Sequence, residues 1–394
     1  MDNTKQLNIE YFSLQSLFWM TYCMVVGFSV TYLLSCGYSN SEAGYILASA
    51  NICALILQPF FADLADRSKK INAMTIFLVS IEIIFVCSIG LFFIGVRSLI
   101  LTLIYVVMIT LANAVIAFLT SIQFLMDTSK SKINFGLCRA GGSLCFAILS
   151  ALMGIMIERI GMKSIPLALF IITLLIIGLC IFITRHSING NIKAVLTLEK
   201  KRSSSLFVFF KENPRFMILS IAMLFIYYAH AFITNFTISI VRNVGGDNRE
   251  MGYLIAFMAL MELPGMIGFK EISRRFKVSS LLLFSMIMFS IKAIIVWLSP
   301  SLMTLTFGFA LQVVSFAIYI PASVQYANII IDEKDTVKAQ MMFNLMQTGG
   351  AVFSSIIGGW LIDFSGISHA LLVGAILSCI GTIIAFAGIQ NTKR

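Results

Sequence analysis

The chain has 394 residues, of which 59% are hydrophobic and only 12% charged, and its mean hydropathy is +0.95. So much apolar side chain with so little charge would aggregate in water, which excludes a single soluble core. The net charge of +10 does not point to nucleic acid, because the cations fall in short segments between apolar runs, where they set membrane topology and meet anionic lipid.

Twelve apolar runs follow one another, at about 11–35, 44–62, 71–94, 99–126, 135–157, 164–184, 216–241, 251–269, 279–298, 302–330, 339–362 and 369–389. Each is long enough to cross about 30 Å of hydrocarbon as a helix. Lipid offers backbone groups no hydrogen-bond partner, and the runs lack the period-2 pattern of a barrel, so the fold class is an all-α membrane protein with twelve transmembrane helices in two six-helix repeats.

Met1 to Glu10 is polar and the first apolar run is too long for a signal core, so no cleavable leader is expected. Between the second and third runs lies an acidic then basic turn, Asp63, Asp66, Arg67, Lys69 and Lys70. The longest polar stretch, Arg185 to Arg215, separates an N-terminal bundle (1–184) from a C-terminal one (216–394) and reads as an inner linker, 185–215, with a short amphipathic helix through Leu206 to Phe210. The eight cysteines are scattered through the spans without ligand spacing, so no metal site or cofactor is expected.

Orientation follows from the 28 Lys and Arg. If the N-terminus is cytoplasmic, the outer loops hold only Arg97, Arg159, Lys163, Arg242 and Arg249. Arg139 and Lys292 lie inside apolar runs, and the remaining 21 fall in inner segments. That imbalance predicts both termini inside and a multi-pass protein of the cytoplasmic membrane.

A segment is written twice, 208 positions apart. Gly44-Tyr45 returns as Gly252-Tyr253, and Arg139-Ala140-Gly141-Gly142 returns as Gln347-Thr348-Gly349-Gly350. A duplicated membrane chain usually carries its site between the halves, which points to a transporter. The paired glycines allow helices to approach closely where gates open and shut.

Two six-helix repeats, a long central loop and the Asp63 to Lys70 turn resemble the major facilitator superfamily, although both glycines usual in that turn are absent. Within it, Gln58-Pro59-Phe60-Phe61-Ala62-Asp63 and Phe135-Gly136-Leu137-Cys138-Arg139 resemble the oligosaccharide–proton symporters. The resemblance implies that Arg139 is a sugar-binding arginine, that Phe146 holds the position of the stacking aromatic, and that Asp63, Asp66 and Arg67 take part in gating. The family's helix-four glutamate is replaced by Gln123, its helix-nine arginine by Lys292, and its helix-ten histidine and proton-carrying glutamate by Gln312 and Ser315. His230 stands where helix seven carries a carboxylate. These departures put lactose itself, and that route for the proton, in question.

A charge at the bilayer centre costs about 2.5–3.5 kcal/mol, so one that persists has a partner or a task. Four qualify: Glu82, Arg139, Glu262 and Lys292. Glu262 sits near mid-membrane beside the helix-loosening Pro264 and is the expected proton carrier, paired with Arg139. A static ion pair between the halves is the competing reading. Glu82 and Lys292 fall on helices three and nine, peripheral supports in the superfamily, and are expected to be structural. The neutral polar residues Asn113, Gln123, Tyr227, His230, Gln312 and Gln347 suit a hydroxyl-rich small-molecule substrate. The expected function is thus proton-coupled import of a sugar or oligosaccharide by a monomer, with a nucleoside symporter or an exporter of amphipathic compounds as alternatives. No enzyme motif is present.

Overall fold

The computed structural model describes residues 3–68, 71–127, 133–185, 206–332 and 335–392. In chain order the helices are α1 Asn3–Tyr22, α2 Ser29–Ser35, α3 Asn40–Arg67, α4 Ala73–Phe93, α5 Leu99–Ala114, α6 Ile116–Met126, α7 Phe135–Ile160 and α8 Ser164–Ile183. They continue as α9 Leu206–Glu212, α10 Pro214–Asn235, α11 Thr237–Asn243, α12 Asn248–Arg275, α13 Val278–Leu298, α14 Leu302–Ala310, α15 Phe316–Ile330, α16 Thr336–Phe353, α17 Gly359–Ser365 and α18 Ile367–Gly388. Among the described residues, ten helical segments are long and apolar enough to cross a membrane, and two bent pairs bring the total to as many as twelve. Most of the predicted linker, 186–205, lies outside the described residues, as do Lys69 and Lys70; α9 covers the predicted amphipathic segment.

Local chemistry sets the helix ends. Asn72, Ser98 and Asn134 cap α4, α5 and α7 by accepting from the backbone N–H three residues on, at 2.9, 3.2 and 3.1 Å. Asp247 and Glu250 form a reciprocal capping box at the start of α12. Gly161 and Gly366, with φ of 90° and 87°, stop α7 and α17 in a conformation that a side chain would strain.

Two predicted spans are not single rods. The first run becomes α1, a π-helical turn at Cys23–Gly27 and α2, bent by 42°; the fourth breaks at Val115 into α5 and α6, bent by 43°. Neither break follows a proline, so hydropathy gave no warning of it. The first helix also begins at Asn3 rather than near residue 11, its polar turns stitched by Gln6 donating to Glu10 and Asn8 donating to the Thr4 carbonyl.

The chain forms two compact units, one of Met1–Tyr38 and Ser49–Glu199, the other of Ser39–Ala48 and Lys200–Arg394. In the first, α1 packs along α7 and α4 along α8. In the second, α10 is enclosed by α16 and α18, and α13 by α15 and α18. Glycines spaced by seven on α18 make its contact with α10 possible: a Cβ on Gly381 would lie 2.7 Å from the Ala222 carbonyl oxygen, and one on Gly388 2.5 Å from the Leu219 nitrogen. The opening turn of α3 belongs to the second unit, where Asp363 accepts from the Asn40 backbone N–H and side-chain amide and from the Ser41 backbone N–H and hydroxyl, at 2.6–3.2 Å.

The repeated glycine pair is not equivalent in its two members. A Cβ on Gly350 would meet the backbone of α10, 2.6 Å from the Leu224 oxygen and 2.9 Å from the Tyr228 nitrogen, whereas one on Gly349 would meet only the tip of Leu224 at 3.5 Å. Gly350→Ala is therefore expected to destabilise the purified protein by about 1–3 kcal/mol, and Gly349→Ala by less than about 0.5 kcal/mol. Thermal unfolding in detergent reads the difference.

Candidate functional site

In the first unit the predicted residue Asn113 is the centre of a hydrogen-bonded group. Tyr22 on α1 donates its hydroxyl proton to Asn113 Oδ1 on α5 at 2.9 Å; the Asn113 amide donates to Asn51 Oδ1 on α3, also at 2.9 Å, and Gln58 donates to the Asn113 carbonyl at 3.2 Å. Arg139 on α7 donates from Nη1 to Ser143 Oγ at 2.8 Å and lies with its guanidinium carbon 3.9 Å from the centre of the Trp19 ring. Phe146 is half-buried two turns further along α7, about 10 Å away by helical rise, against Gly27 in the π-helical turn. Gln123 is half-buried on α6.

In the second unit the polar residues form two connected clusters. The first is a buried chain across α13, α12 and the 3₁₀ turn Leu311–Val313. Lys292 Nζ donates to Gln312 Oε1 at 2.6 Å, and Gln312 Nε2 donates to Glu262 Oε1 at 3.0 Å. Lys292 and Gln312 are each 1% exposed, while Glu262 is half-buried. An ammonium only donates and a carboxylate only accepts, so the charges at the two ends dictate which way the amide points. Lys292 has two softer neighbours, Met258 Sδ at 3.8 Å and the Phe309 ring at 5.6 Å.

The second cluster is aromatic. The His230 ring stacks on Phe316 at 4.9 Å and meets Tyr227 and Phe289 edge-on, each at 5.2 Å. Tyr319 packs against Tyr227 and Phe289 and accepts from Gln347 Nε2 at 3.0 Å. His230 Nδ1 and the Tyr228 hydroxyl are buried with no hydrogen-bond partner among the described residues. The structure thus brings Tyr227, His230 and Gln347 into one group and Glu262 and Gln312 into another, within one unit. Arg139 and Asn113 belong to the other unit.

Lys292, expected to be structural, is joined through Gln312 to Glu262. A lone cation mid-span, with a carboxylate and an amide mid-span in neighbouring runs, is the signal that identifies such a chain. Trp19, Asn51 and Asp363 carried no sequence signal beyond their residue type. Asp63 and Arg67, expected to take part in gating, form an exposed i,i+4 ion pair of 2.6 Å, which contributes little to stability. Asp66 is helical in α3, and its side chain lies outside the described residues. Glu82 is exposed on α4.

The sequence matches the profile of the MFS_1 like family over residues 7–373. It is 21% identical to the maltose permease of Geobacillus stearothermophilus over 347 residues, covering 88% of this chain and 85% of the relative. It is 25% identical to the uncharacterized transporter YwbF of Bacillus subtilis (strain 168) over 359 residues, covering 87% and 83%. Its fold matches the crystal structure of a mutant of the nucleoside transporter NupG with a TM-score of 0.80, 16% identity and coverage of 98% and 99%. It also matches a bacterial homolog of the human lysosomal transporter Spinster with a TM-score of 0.71, 12% identity and coverage of 98% and 97%.

Removing the Gln312 amide leaves a buried ammonium without its one carbonyl acceptor, a loss of about 1–3 kcal/mol or more. Gln312→Leu is expected to lower thermal stability by that order, and Lys292→Met/Gln312→Leu to regain most of it. Size-exclusion profiles after stepwise heating measure both.

Proposed function

The chain belongs to the MFS_1 like family and is a transporter rather than an enzyme, and from that premise we propose that it carries a neutral, hydroxyl-rich solute of sugar or oligosaccharide type across the cytoplasmic membrane together with protons. Working as a monomer with both termini inside, it alternates access to its site. The observation that carries this reading is the make-up of the polar interior. Amides and phenols bonded to one another (Tyr22, Asn113, Asn51; Tyr319, Gln347) match the alternating donors and acceptors of a polyol. The charges within these clusters are Arg139 in one unit and Lys292 and Glu262 in the other. The similarity to a maltose permease agrees with the sugar class.

In this reading Arg139 engages the solute and Glu262 carries the proton. Protonation removes the negative end of the Lys292–Gln312–Glu262 chain, so the amide is no longer held between opposite charges and the carboxyl becomes a donor. Loss of the proton restores the chain. Proton binding and chain geometry are therefore one event, and coupling follows if solute binding biases the same geometry. A nucleoside is the second reading, favoured by the density of aromatic faces around Tyr227, His230 and Phe316.

Proteoliposome counterflow with labelled maltose and uridine separates the two classes. Glu262→Gln is expected to keep counterflow of the accepted solute and to lose accumulation driven by an inward proton gradient. Unchanged gradient-driven uptake in that variant removes Glu262 from the coupling role. Absence of uptake for both solutes, with export of an amphipathic dye instead, overturns the importer.

A further inference from the structure

We infer that Trp19 is the positioning residue of Arg139: the indole face holds the guanidinium so that its N–H edge, rather than its flat face, meets the solute. The inference rests on the reading above that Arg139 engages the solute, and it assigns the aromatic task in this unit to α1 instead of to Phe146.

Arg139 is a long, rotamer-rich side chain on α7 with five N–H donors, one of them bonded to Ser143. The indole adds a constraint that an in-plane hydrogen bond does not give, since it fixes the face of the guanidinium. At 3.9 Å from ring centre to guanidinium carbon the two half-buried groups are in face contact, the geometry of a cation–π pair. Face contact does not occupy the in-plane N–H groups, which are the ones that make directional bonds such as that to Ser143 and that recognition of paired hydroxyls requires.

Trp19 is itself held from three sides. Its Nε1 donates to Gln15 Oε1 at 3.0 Å; Gln15 Nε2 donates to the Tyr11 hydroxyl oxygen at 2.7 Å; and Tyr11 donates to the Leu119 carbonyl on α6 at 2.9 Å. Gln15 and Tyr11 are buried, at 1% and 0% exposure, so this relay has no competing water. On its other flanks the indole packs against Tyr22 at 5.3 Å and Phe18 at 5.7 Å, and Tyr22 is the residue bonded to Asn113. The chain of contacts therefore runs from a helix backbone through the indole to the cation.

Gly142 completes the arrangement. A Cβ there would lie 2.6 Å from Trp19 Cδ1, so α7 can carry no side chain one turn beyond Arg139 if the indole is to reach the guanidinium. Gly141 makes room in the same way for Phe12. The Gly141-Gly142 pair, expected to serve gating, thus also shapes the seat of Trp19.

Three tryptophans are present, Trp19, Trp297 and Trp360, so a Trp297→Phe/Trp360→Phe background isolates the emission of Trp19. In that background Arg139→Leu and Gly142→Ala are each expected to shift the Trp19 emission without any solute present. Emission unchanged by Arg139→Leu overturns the stacking. In counterflow with maltose or uridine, whichever is carried, Trp19→Leu is expected to raise the half-saturating concentration about tenfold with little change in maximal rate, and Trp19→Tyr to restore it. In an Arg139→Lys background Trp19→Leu is expected to add little further, because the indole acts through the guanidinium. A wild-type half-saturating concentration in Trp19→Leu, or an equal added loss in both backgrounds, overturns the positioning role. Failure of both solutes in counterflow counts against the proposed function alone, since the emission measurement needs neither.

Discussion

Hydrocarbon solvates neither a charge nor an open backbone group, so whatever polar chemistry this chain keeps inside the membrane the protein itself must solvate. The helices satisfy the backbone. The side chains are satisfied by each other in small closed sets: an ammonium by an amide, the amide by a carboxylate, a guanidinium by an indole and a hydroxyl, an indole by an amide bonded to a phenol. Each set is built from two or three helices, so it also fixes how those helices pack. Polar function and helix assembly in this molecule are consequently the same problem, and a substitution aimed at one disturbs the other.

The all-helical membrane fold was legible in the sequence because it rests on quantities that composition reports directly, namely the length of apolar runs and the placement of Lys and Arg. The bends at Cys23–Gly27 and Val115 were not legible. No proline marks either change, and the residues at the breaks are ordinary members of an apolar run apart from Tyr22 and Asn113, which are bonded to each other. The site was legible by residue type and not by partner. Arg139, Glu262, Gln312, Tyr227, His230 and Gln347 stood out as polar groups in apolar runs. What each one touches depends on the rotation of its helix, which a run without a clear polar stripe leaves unspecified. Lys292 was assigned to the periphery by the number of its helix, and the structure joins it to Glu262 through a residue twenty positions away. Trp19 was invisible for a different reason: an aromatic residue in an apolar run has an ordinary packing explanation.

The two polar sets of the second unit differ in how completely they are satisfied. The Lys292–Gln312–Glu262 chain is closed by charge at both ends. The aromatic cluster around His230 holds its rings by stacking yet leaves Nδ1 and the neighbouring Tyr228 hydroxyl buried without partners. Such groups lower stability, typically by about 1–3 kcal/mol each, so this part of the second unit is held by ring packing rather than by polar bonds. The first unit shows the opposite arrangement, with the indole, amide and phenol around Arg139 all bonded.

The fit between α10 and α18 has a consequence for how the protein is made. α10 is the most enclosed of the ten spans, with 67% of its membrane window buried, and it carries Tyr227, Tyr228 and His230. Its glycine-matched partner follows eight helices later in the chain. At ordinary rates of synthesis that interval is on the order of ten seconds. Throughout it, the face of α10 made by Leu219, Ala222, Ile226 and Ala229 lacks the helix whose glycines fit it. The packing of α10 in the second unit is therefore complete only once α18, the last helix, has been made.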